Sequence, residues 1–359
     1  MNRKQKTVAV AMSGGVDSSV AAVLLKERGY EIFGITMVHF DSPCNKAVQA
    51  AHDAEEVCRH LDINHVTIDL HDEFRERVID NFIQEYLNGR TPNPCVQCNM
   101  SIKWGTILQK AEELGADFIA TGHYVNILFD PKTKRFVLLK SEHRAKDQSY
   151  ALWRLTQEQL SHTLFPIANL PKSKVRDMAL SLGLDIADKA ESQDICFIPD
   201  NDYKAFIKEY LENSLDQIKP GPILDLQGNI IGTHKGYPYY TIGQRKGLGI
   251  ARGRPQYVVE IDPQANTIRI GEKSDLLNKG LVAESTNWIS VEKPTPGMKV
   301  LAHIRYNDPG YSAEITKVDS NAVTIVFDEP RESVTPGQSV VLYNGAQLVG
   351  GGIISCALQ

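Results

Sequence analysis

Residues 7–19, TVAVAMSGGVDSS, decide the fold of this chain. The first six of them, TVAVAM, are mostly apolar and predict a buried strand. Gly14 and Gly15 interrupt that strand, and the following SSVAAVLLKERG predicts a helix that ends at Gly29. A buried strand, a glycine turn and a helix in succession are typical of the first unit of a parallel α/β sheet.

The same alternation continues outward from this unit to about residue 125. Further strands are predicted at EIFGITMV, NHVTIDL and DFIAT, and helices at KAVQAAHDAEEVCRHL, residues 72–87 and SIKWGTILQKAEELG. A polar hairpin at 124–140 and helices near 148–160 and 172–182 are predicted to follow. This spacing predicts a doubly wound parallel sheet.

The sequence pattern changes after about residue 205. Glycines become frequent, and beyond residue 280 short segments such as KVLAHIRY, SAEITKV and SVVLYNG alternate with turn residues. Short alternating strands of this kind predict a small antiparallel barrel. We therefore expect an α/β catalytic domain at 1–205, a small central RNA-binding module at 206–275 and a C-terminal β-barrel at 276–359.

The bulk composition is that of an ordinary globular protein. The chain has 359 residues, of which 42% are hydrophobic and 23% charged. It contains no apolar run of about 18 residues, so no membrane span is expected. Its first residues lead directly into a strand pattern and lack the features of a signal peptide, which predicts a cytoplasmic protein. In that compartment the six cysteines are expected to be free, metal-bound or catalytic rather than structural disulfides.

Positive charge is concentrated in two windows, although the net charge is −5. Residues 131–176 contain ten Lys or Arg against three acids, and residues 229–255 contain five Lys or Arg and no acid. Either window alone is equally compatible with a solvated face. Two such windows in an acidic chain favour a localised track for a polyanion.

The loop Ser13-Gly14-Gly15-Val16-Asp17-Ser18-Ser19 has the chemistry of a phosphate site. Glycines let backbone N–H groups approach phosphate oxygens, and the N-terminus of the following helix adds a partial positive charge. The loop matches neither GxxxxGK[ST] nor GxGxxG, which argues against a Walker A loop and a dinucleotide site. It resembles the pyrophosphate loop of the N-type ATP pyrophosphatases. That resemblance implies ATP cleavage between the α and β phosphates, with Asp17 assisting Mg²⁺.

Two cysteine motifs add a second chemistry. Asn93-Pro94-Cys95-Val96-Gln97-Cys98-Asn99 has CxxC spacing, and SQDICF places Cys196 about a hundred residues later. A zinc site would need a second close pair or histidines at ligand spacing. Cys44 and Cys58 are not paired in that way. Cys58 and Cys356 are expected to be inert packing residues.

The ordered motifs SGGVDSS, NPCVQCN, ATGHY, KDQSY, SQDICF, YTIGQRKGLGI and PGQSVVLY closely resemble the tRNA-specific 2-thiouridylase family (MnmA/TrmU) over nearly the whole chain. The family implies ATP-dependent adenylation of the C2 oxygen of the wobble uridine in tRNAs for lysine, glutamate and glutamine, followed by sulfur transfer. It implies Cys196 as the persulfide cysteine, loaded by a sulfur-relay protein or a cysteine desulfurase, and Cys98 as its partner. Cys98 would release sulfide or close a Cys98–Cys196 disulfide.

The resemblance also assigns binding residues at matching positions. ATP would be bound by Ala11, Met12, Ser13, Gly14, Gly15, Val16, Asp17, Ser18, Met37 and Gly122. The tRNA would be bound by Asn93, Pro94, Cys95, His123, Lys146, Asp147, Gln148, Arg305, Tyr306 and Gln338. For Met37 alone, core packing is an equal alternative. The sulfur chemistry requires a thiolate or persulfide that is ionised near neutral pH, which nearby basic residues would favour.

Cys95 departs from the family pattern, because many members have aspartate there, with a general-base role. The substitution brings together Cys95, Cys98 and Cys196, and three thiolates could hold a 4Fe–4S cluster with one open iron. Two sulfur routes therefore remain open. One uses a persulfide and a disulfide, and the other uses the cluster.

Two further classes of function compete with tRNA thiolation. Another enzyme on the same loop, such as an amidotransferase or a lysidine-forming ligase, would not need the cysteines. A tRNA-binding or chaperone module with a vestigial nucleotide site would not need Asp17. The intact loop and the cysteine motifs favour the thiolation enzyme.

Overall fold

A computed structural model describes residues 5–40, 46–183, 195–198, 202–211, 218–250 and 253–359. Cys44 and the Ser192, Gln193 and Asp194 part of the second cysteine motif lie outside the described residues. None of the helices in the described ranges is long and apolar enough to span a membrane.

The first domain is built around a parallel sheet. Its strands follow the order β3-β2-β1-β4-β7, and every neighbouring pair is parallel. The strands are β1 (Thr7–Ala11), β2 (Glu31–Val38), β3 (His65–Asp69), β4 (Phe118–Ala120) and β7 (Thr163–Leu164). The predicted doubly wound parallel sheet is confirmed.

Helices cover both faces of this sheet. Successive residues of β1 point to opposite sides, so Val8 and Val10 belong to one buried cluster and Ala9 to another. The helices are α1 (Val16–Glu27), α2 (Lys46–His60), α3 (His71–Phe74), α4 (Asp80–Leu87), α5 (Pro94–Cys98), α6 (Leu108–Glu113), α7 (Gln157–Ser161), α8 (Lys172–Ser181) and α9 (Tyr203–Tyr210).

Two of the predicted helices contain a π-helical segment. Residues Arg75–Ile79 join α3 to α4, and residues Asn99–Ile107 join α5 to α6. Sequence periodicity predicted ordinary helices at both places. In a π-helix the backbone bond runs from residue i to i+5, and such segments are common at functional sites. The second one directly follows Cys98.

The middle of the chain forms a four-stranded sheet in the order β10-β11-β8-β9. Its small core contains Ile223, Val258, Ile268 and Ile270. The strands are β8 (Gly221–Leu224), β9 (Ile230–His234), β10 (Tyr257–Asp262) and β11 (Thr267–Gly271).

The C-terminal strands form a closed antiparallel barrel. Six strands run in the order β12-β15-β14-β13-β16-β17, and pairing of β12 with β17 closes the ring. The strands are β12 (Leu277–Trp288), β13 (Met298–His303), β14 (Tyr311–Val318), β15 (Ala322–Glu332), β16 (Ser339–Asn344) and β17 (Gln347–Leu358). The predicted barrel is confirmed.

The barrel is packed directly against the first domain. The predicted hairpin consists of β5 (Val125–Asp130) and β6 (Arg135–Lys140), and β6 pairs with β17 of the barrel. Val341, Tyr343 and Leu348 of the barrel lie in the same buried cluster as the helices around the cysteine motif. The barrel is therefore placed to influence that motif.

Candidate functional site: nucleotide loop and thiol cluster

The glycine–serine loop is organised by hydrogen bonds within itself. The Ser18 hydroxyl donates to the Gly15 carbonyl at 3.0 Å and accepts from the Ser13 amide at 3.2 Å. The Ser19 hydroxyl also donates to the Gly15 carbonyl, at 3.0 Å. Gly15 is the N-cap of α1, and no side chain caps the helix there. The first amides of α1 are thus left for an anion, as a phosphate site requires.

Two glycines make this loop compact. Gly14 has φ +65, and a Cβ there would lie 2.6 Å from the Ala50 carbonyl oxygen. A Cβ on Gly122 would lie 2.7 Å from the Asp17 carbonyl carbon and from the Ser18 amide nitrogen. Gly122, predicted to bind the nucleotide, is therefore in backbone contact with the start of α1.

Asp17 is held by two side chains from other parts of the domain. Lys172 at the start of α8 donates to both carboxylate oxygens at 2.8 Å, and the Tyr124 hydroxyl donates to one of them at 2.7 Å. The Lys172 side chain is only 13% exposed. Sequence reasoning missed Lys172, because only the tertiary fold brings α8 to the loop. A cation beside this loop is suited to phosphate oxygens.

The other predicted ATP residues lie at the same edge of the sheet. Ala11 ends β1 and Met37 lies near the end of β2, so both stand at the carboxyl end of the parallel strands. This edge is where open α/β sheets bind ligands. Met37 is partly buried and also packs against the larger core.

The cysteine motif forms a short helix whose start follows from its sequence. Pro94 is the first helical residue of α5, where its missing N–H costs nothing. Cys98 at the end of α5 is buried at 8% exposure, whereas Cys95 one turn earlier is exposed. Cys196 is also exposed, but Phe197 next to it is buried against the rings of Phe74 and Phe82. This aromatic anchor holds the third thiol beside the first domain.

The three thiols lie close enough to interact electrostatically. Burial, with a smaller contribution from the nearby Cys95, raises the pKa of Cys98 to about 11. The protein packed around Cys196 raises its pKa to about 12, with contributions from Cys98 and Cys95, although part of its surface reaches solvent. The pKa of Cys95 is raised by the same desolvation. In the ligand-free protein desolvation outweighs the neighbouring cation, so the pKa of each of the three thiols is raised. The ionised thiolate or persulfide stays a prediction for the tRNA-bound state.

That cation is Lys103, which sequence reasoning missed. Its charge opposes the rise in pKa of Cys95, Cys98 and Cys196. Lys103 lies five residues after Cys98 on the π-helical segment Asn99–Ile107. The sequence carries no clear signal for this π-helical segment, so the effect of Lys103 on the thiols could not be read from it.

His123 follows Gly122, the residue in contact with the nucleotide loop, and it feels the charge of Lys103. Its ring packs beside Trp104 at 5.5 Å, and its Nδ1 is 2.7 Å from the Thr121 hydroxyl. Burial first and Lys103 second hold its pKa well below the usual histidine value. His123 is therefore a neutral side chain near pH 7, suited to hydrogen bonding with RNA and not to ionic pairing with phosphate.

Residues predicted to bind tRNA come together from three distant segments. The Tyr306 hydroxyl donates to the Asp147 carbonyl oxygen at 3.3 Å, and its ring lies 5.8 Å from that of Tyr150. Tyr306 is 48% exposed, and proximity to Cys95 contributes to its raised pKa. Arg305 beside it is exposed. An exposed aromatic ring beside the thiols is suited to stacking on an unpaired base.

Other members of this set already have internal partners. The Gln148 side-chain oxygen accepts from the Tyr124 amide at 3.0 Å. The Asp147 carboxylate accepts from the Ser141 amide and the Ser149 hydroxyl, each at 2.7 Å. Lys146 ends the short 3-10 helix before them. These contacts order the turn that carries Lys146.

The other two described cysteines, Cys58 and Cys356, differ in burial. Cys58 is buried, as expected for a packing residue, and its pKa is raised to about 11. The packing role expected for Cys356 is wrong, because its side chain is exposed on β17. All five cysteines in the described ranges are free. Within those ranges no three His, Cys, Asp or Glu side chains are grouped to hold a metal ion. Cys95, Cys98 and Cys196 therefore do not fit the predicted 4Fe–4S ligand set, and we derive no step through a cluster.

Comparison with known proteins follows the three structural parts. Residues 6–200 match the family described as tRNA methyl transferase HUP domain, residues 204–272 its PRC-barrel domain, and residues 278–354 the aminomethyltransferase beta-barrel domain. The chain is 50% identical over 356 residues to tRNA-specific 2-thiouridylase MnmA 1 of Caldanaerobacter subterraneus, covering 97% of each chain. It is also 50% identical to tRNA-specific 2-thiouridylase MnmA of Halothermothrix orenii, covering 97% of this chain and 98% of that one.

The chain belongs to the tRNA-specific 2-thiouridylase family. This places it among the sulfurtransferases, as predicted from the motifs. Among solved structures, the U34-tRNA thiolase NcsA of Methanococcus maripaludis, titled with its 4Fe-4S cluster, covers 60% of this chain and 68% of its own length. Its identity is 19% and its TM-score 0.36, so it carries no argument here.

Proposed function

We propose that this 2-thiouridylase family member replaces the C2 oxygen of the wobble uridine with sulfur in tRNAs for lysine, glutamate and glutamine. The observation that carries the proposal is that Cys95, Cys98 and Cys196 all feel the charge of Lys103, and that Cys95 and Cys98 both contribute to the raised pKa of Cys196. Methyl transfer, which the family descriptions mention, would leave these thiols without a role. Amidating enzymes would leave them equally unused.

The first step activates a poor electrophile. Oxygen is a poor leaving group from a uridine carbonyl, so the C2 oxygen attacks the α phosphorus of ATP and pyrophosphate leaves. The loop Ser13–Ser19, the amides of α1 and Lys172 would bind the phosphates. Asp17 would hold Mg²⁺, which neutralises phosphate charge when bound. The product is an O-adenylated base whose leaving group is AMP.

The second step transfers sulfur and can follow either of two balanced routes. In one, the terminal sulfur of a Cys196 persulfide attacks C2 and AMP leaves, after which Cys98 attacks the Cys196 sulfur and frees the thiocarbonyl. In the other, Cys98 attacks the persulfide first, and the released hydrosulfide displaces AMP from C2. Both routes oxidise two thiols to a Cys98–Cys196 disulfide. A dithiol reductant and a sulfur-relay protein or cysteine desulfurase must then restore the persulfide.

Burial raises the pKa of Cys98 to about 11, and the charge of Lys103 opposes this rise. Lys103 would therefore be the counter-ion of the thiolate that attacks during the reaction. Extruding the base costs on the order of a few kcal/mol, which phosphate contacts along the basic stretch 131–176 can offset. A reducing cytoplasm, which keeps the thiols available, is part of the proposal.

The test is a single reaction containing unmodified glutamate tRNA, ATP, Mg²⁺, a dithiol reductant and a cysteine desulfurase with cysteine as the persulfide source, followed by nucleoside mass spectrometry. We expect ATP-dependent 2-thiouridine, with AMP and pyrophosphate as products. Cys98→Ser should abolish sulfur incorporation, whereas Cys356→Ser, on the barrel, should not. ATP cleavage without 2-thiouridine in the wild type, even with a persulfide donor, would contradict the proposal. Iron analysis of active, anaerobically purified protein would identify the cluster route if it found stoichiometric iron.

A further inference from the structure

The loop that leads into α5 is bonded to the barrel rather than to its own domain. The Gln338 side-chain nitrogen donates to the carbonyl oxygens of Thr91 and Pro92 at 2.9 and 3.0 Å. The Thr91 amide in turn donates to the Pro336 carbonyl oxygen at 2.9 Å. Residues 91–93 are thus held by the turn before β16.

Asn93 completes this contact with both ends of its side chain. Its nitrogen donates to the Gln338 side-chain oxygen at 3.0 Å, and its oxygen accepts from the Ser339 amide at 2.6 Å. Asn93 is the N-cap of α5, where an asparagine ordinarily accepts a bond from its own helix. It makes no such bond here. The capping side chain is committed to the barrel instead.

The barrel side of the contact is itself rigid. A Cβ on Gly337, which has φ +90, would lie 2.8 Å from the backbone nitrogen and oxygen of Thr91. Tyr150 donates to the Ser339 carbonyl oxygen at 2.8 Å, and Trp153 donates to the Ser339 hydroxyl at 3.0 Å. Two side chains of the first domain therefore fix Ser339, the residue whose amide donates to Asn93.

We propose that the barrel positions α5, the helix that carries Cys95 and Cys98, and that Gln338 is a positioning residue for Cys98. It acts through Asn93 and residues 91–92, which set where α5 begins and hence how Cys98 is buried. Its importance for sulfur transfer rests on the proposed function, but the positioning itself does not.

The test measures alkylation of individual cysteines by iodoacetamide in the full chain without tRNA, resolved by peptide mass spectrometry. Gln338→Met, which removes the amide at similar size, should speed modification of Cys98 about tenfold, because several hydrogen bonds are lost. Asn93→Leu should give the same increase. The double variant should be slower than the product of the two single effects, because both single variants already lose the shared Asn93–Gln338 bond. Exposed Cys356 and buried Cys58 serve as internal references and should keep their rates.

Gln347→Met is the matched control, since it removes a glutamine from barrel strand β17 outside this contact. An unchanged Cys98 rate in Gln338→Met would overturn the proposal. So would an equal rise at Cys98, Cys58 and Cys356, which would indicate general loosening. In the thiolation assay we expect Gln338→Met to lower kcat with little change in KM for tRNA. A role in tRNA contact alone would raise KM and leave alkylation of the free enzyme unchanged.

Discussion

The nucleotide loop and the thiol cluster are built in opposite ways. The loop is one run of seven residues, and its internal hydrogen bonds span at most five positions. The thiol cluster needs α5, Lys103, Cys196 and a barrel residue about 245 positions from Asn93. A contiguous loop is specified by its own sequence, whereas an assembled site depends on every element that positions it. Substitutions should therefore act locally in the first region and at a distance in the second.

The largest effect is expected at the loop itself. Asp17→Asn should lower pyrophosphate release about 1,000-fold, because a carboxylate near the transferred phosphates is lost. Stability should change little, since the ion pair with Lys172 is partly exposed on the Asp17 side. Glu27→Gln, at the other end of α1, is the matched control. A variant that cleaves ATP normally but unfolds more easily would make Asp17 a structural residue and weaken the comparison.

A smaller effect is expected where the loop meets the next strand. Gly122→Ala should reduce ATP cleavage about a hundredfold, since its methyl group displaces the start of α1 and misplaced groups lose that much rate. Gly29→Ala has open space around its Cβ and a positive φ, so it should cost stability without affecting ATP binding. Pyrophosphate release and thermal melting separate the two effects. Equal rates of ATP cleavage in Gly122→Ala and Gly29→Ala would contradict a role for Gly122 in placing the loop.

In the thiol cluster, the effect of Lys103 on the reactivity of Cys98 can be tested by substitution. Lys103→Gln should raise the pKa of Cys98 further above about 11 and slow its alkylation about tenfold at a given pH, one pKa unit. Below its pKa the Cys98 rate should climb with pH as the thiolate fraction grows, and the variant curve should lie at higher pH. Lys103→Arg keeps the charge and should restore most of the rate. Superimposable pH profiles for wild type and Lys103→Gln would show that the charge of Lys103 does not affect the pKa of Cys98.

The smallest effect is expected at a cysteine outside both regions. Cys356→Ser should leave 2-thiouridine formation within about twofold and the unfolding free energy within about 0.5 kcal/mol, because the side chain is exposed on β17. Nucleoside mass spectrometry and urea denaturation measure the two quantities. A large loss of activity would mean that a fourth thiol takes part in sulfur transfer.

The sequence predicted much of the frame and the identity of the reactive groups. Strand, turn and helix signals gave the parallel sheet, and short alternating segments gave the barrel, because both depend on local periodicity. The domain limits at 205/206 and 275/276 and the individual site assignments remain predictions. The π-helical segment, Lys172 beside Asp17 and the raised thiol pKa values were not predicted. Each depends on neighbours brought in by folding.

Residues 13–19 by themselves predicted a phosphate loop, since consecutive glycines and serines between a strand and a helix have few other uses. Cys95 and Cys98 predicted thiol chemistry only together with Cys196 and the motifs of the family. Only the tertiary structure decided how those thiols are buried, which cation faces them and that Gln338 holds the loop before them. The physical reason is the distance along the chain over which each interaction acts. Backbone geometry is set by adjacent residues, whereas desolvation and charge depend on groups far apart in the chain.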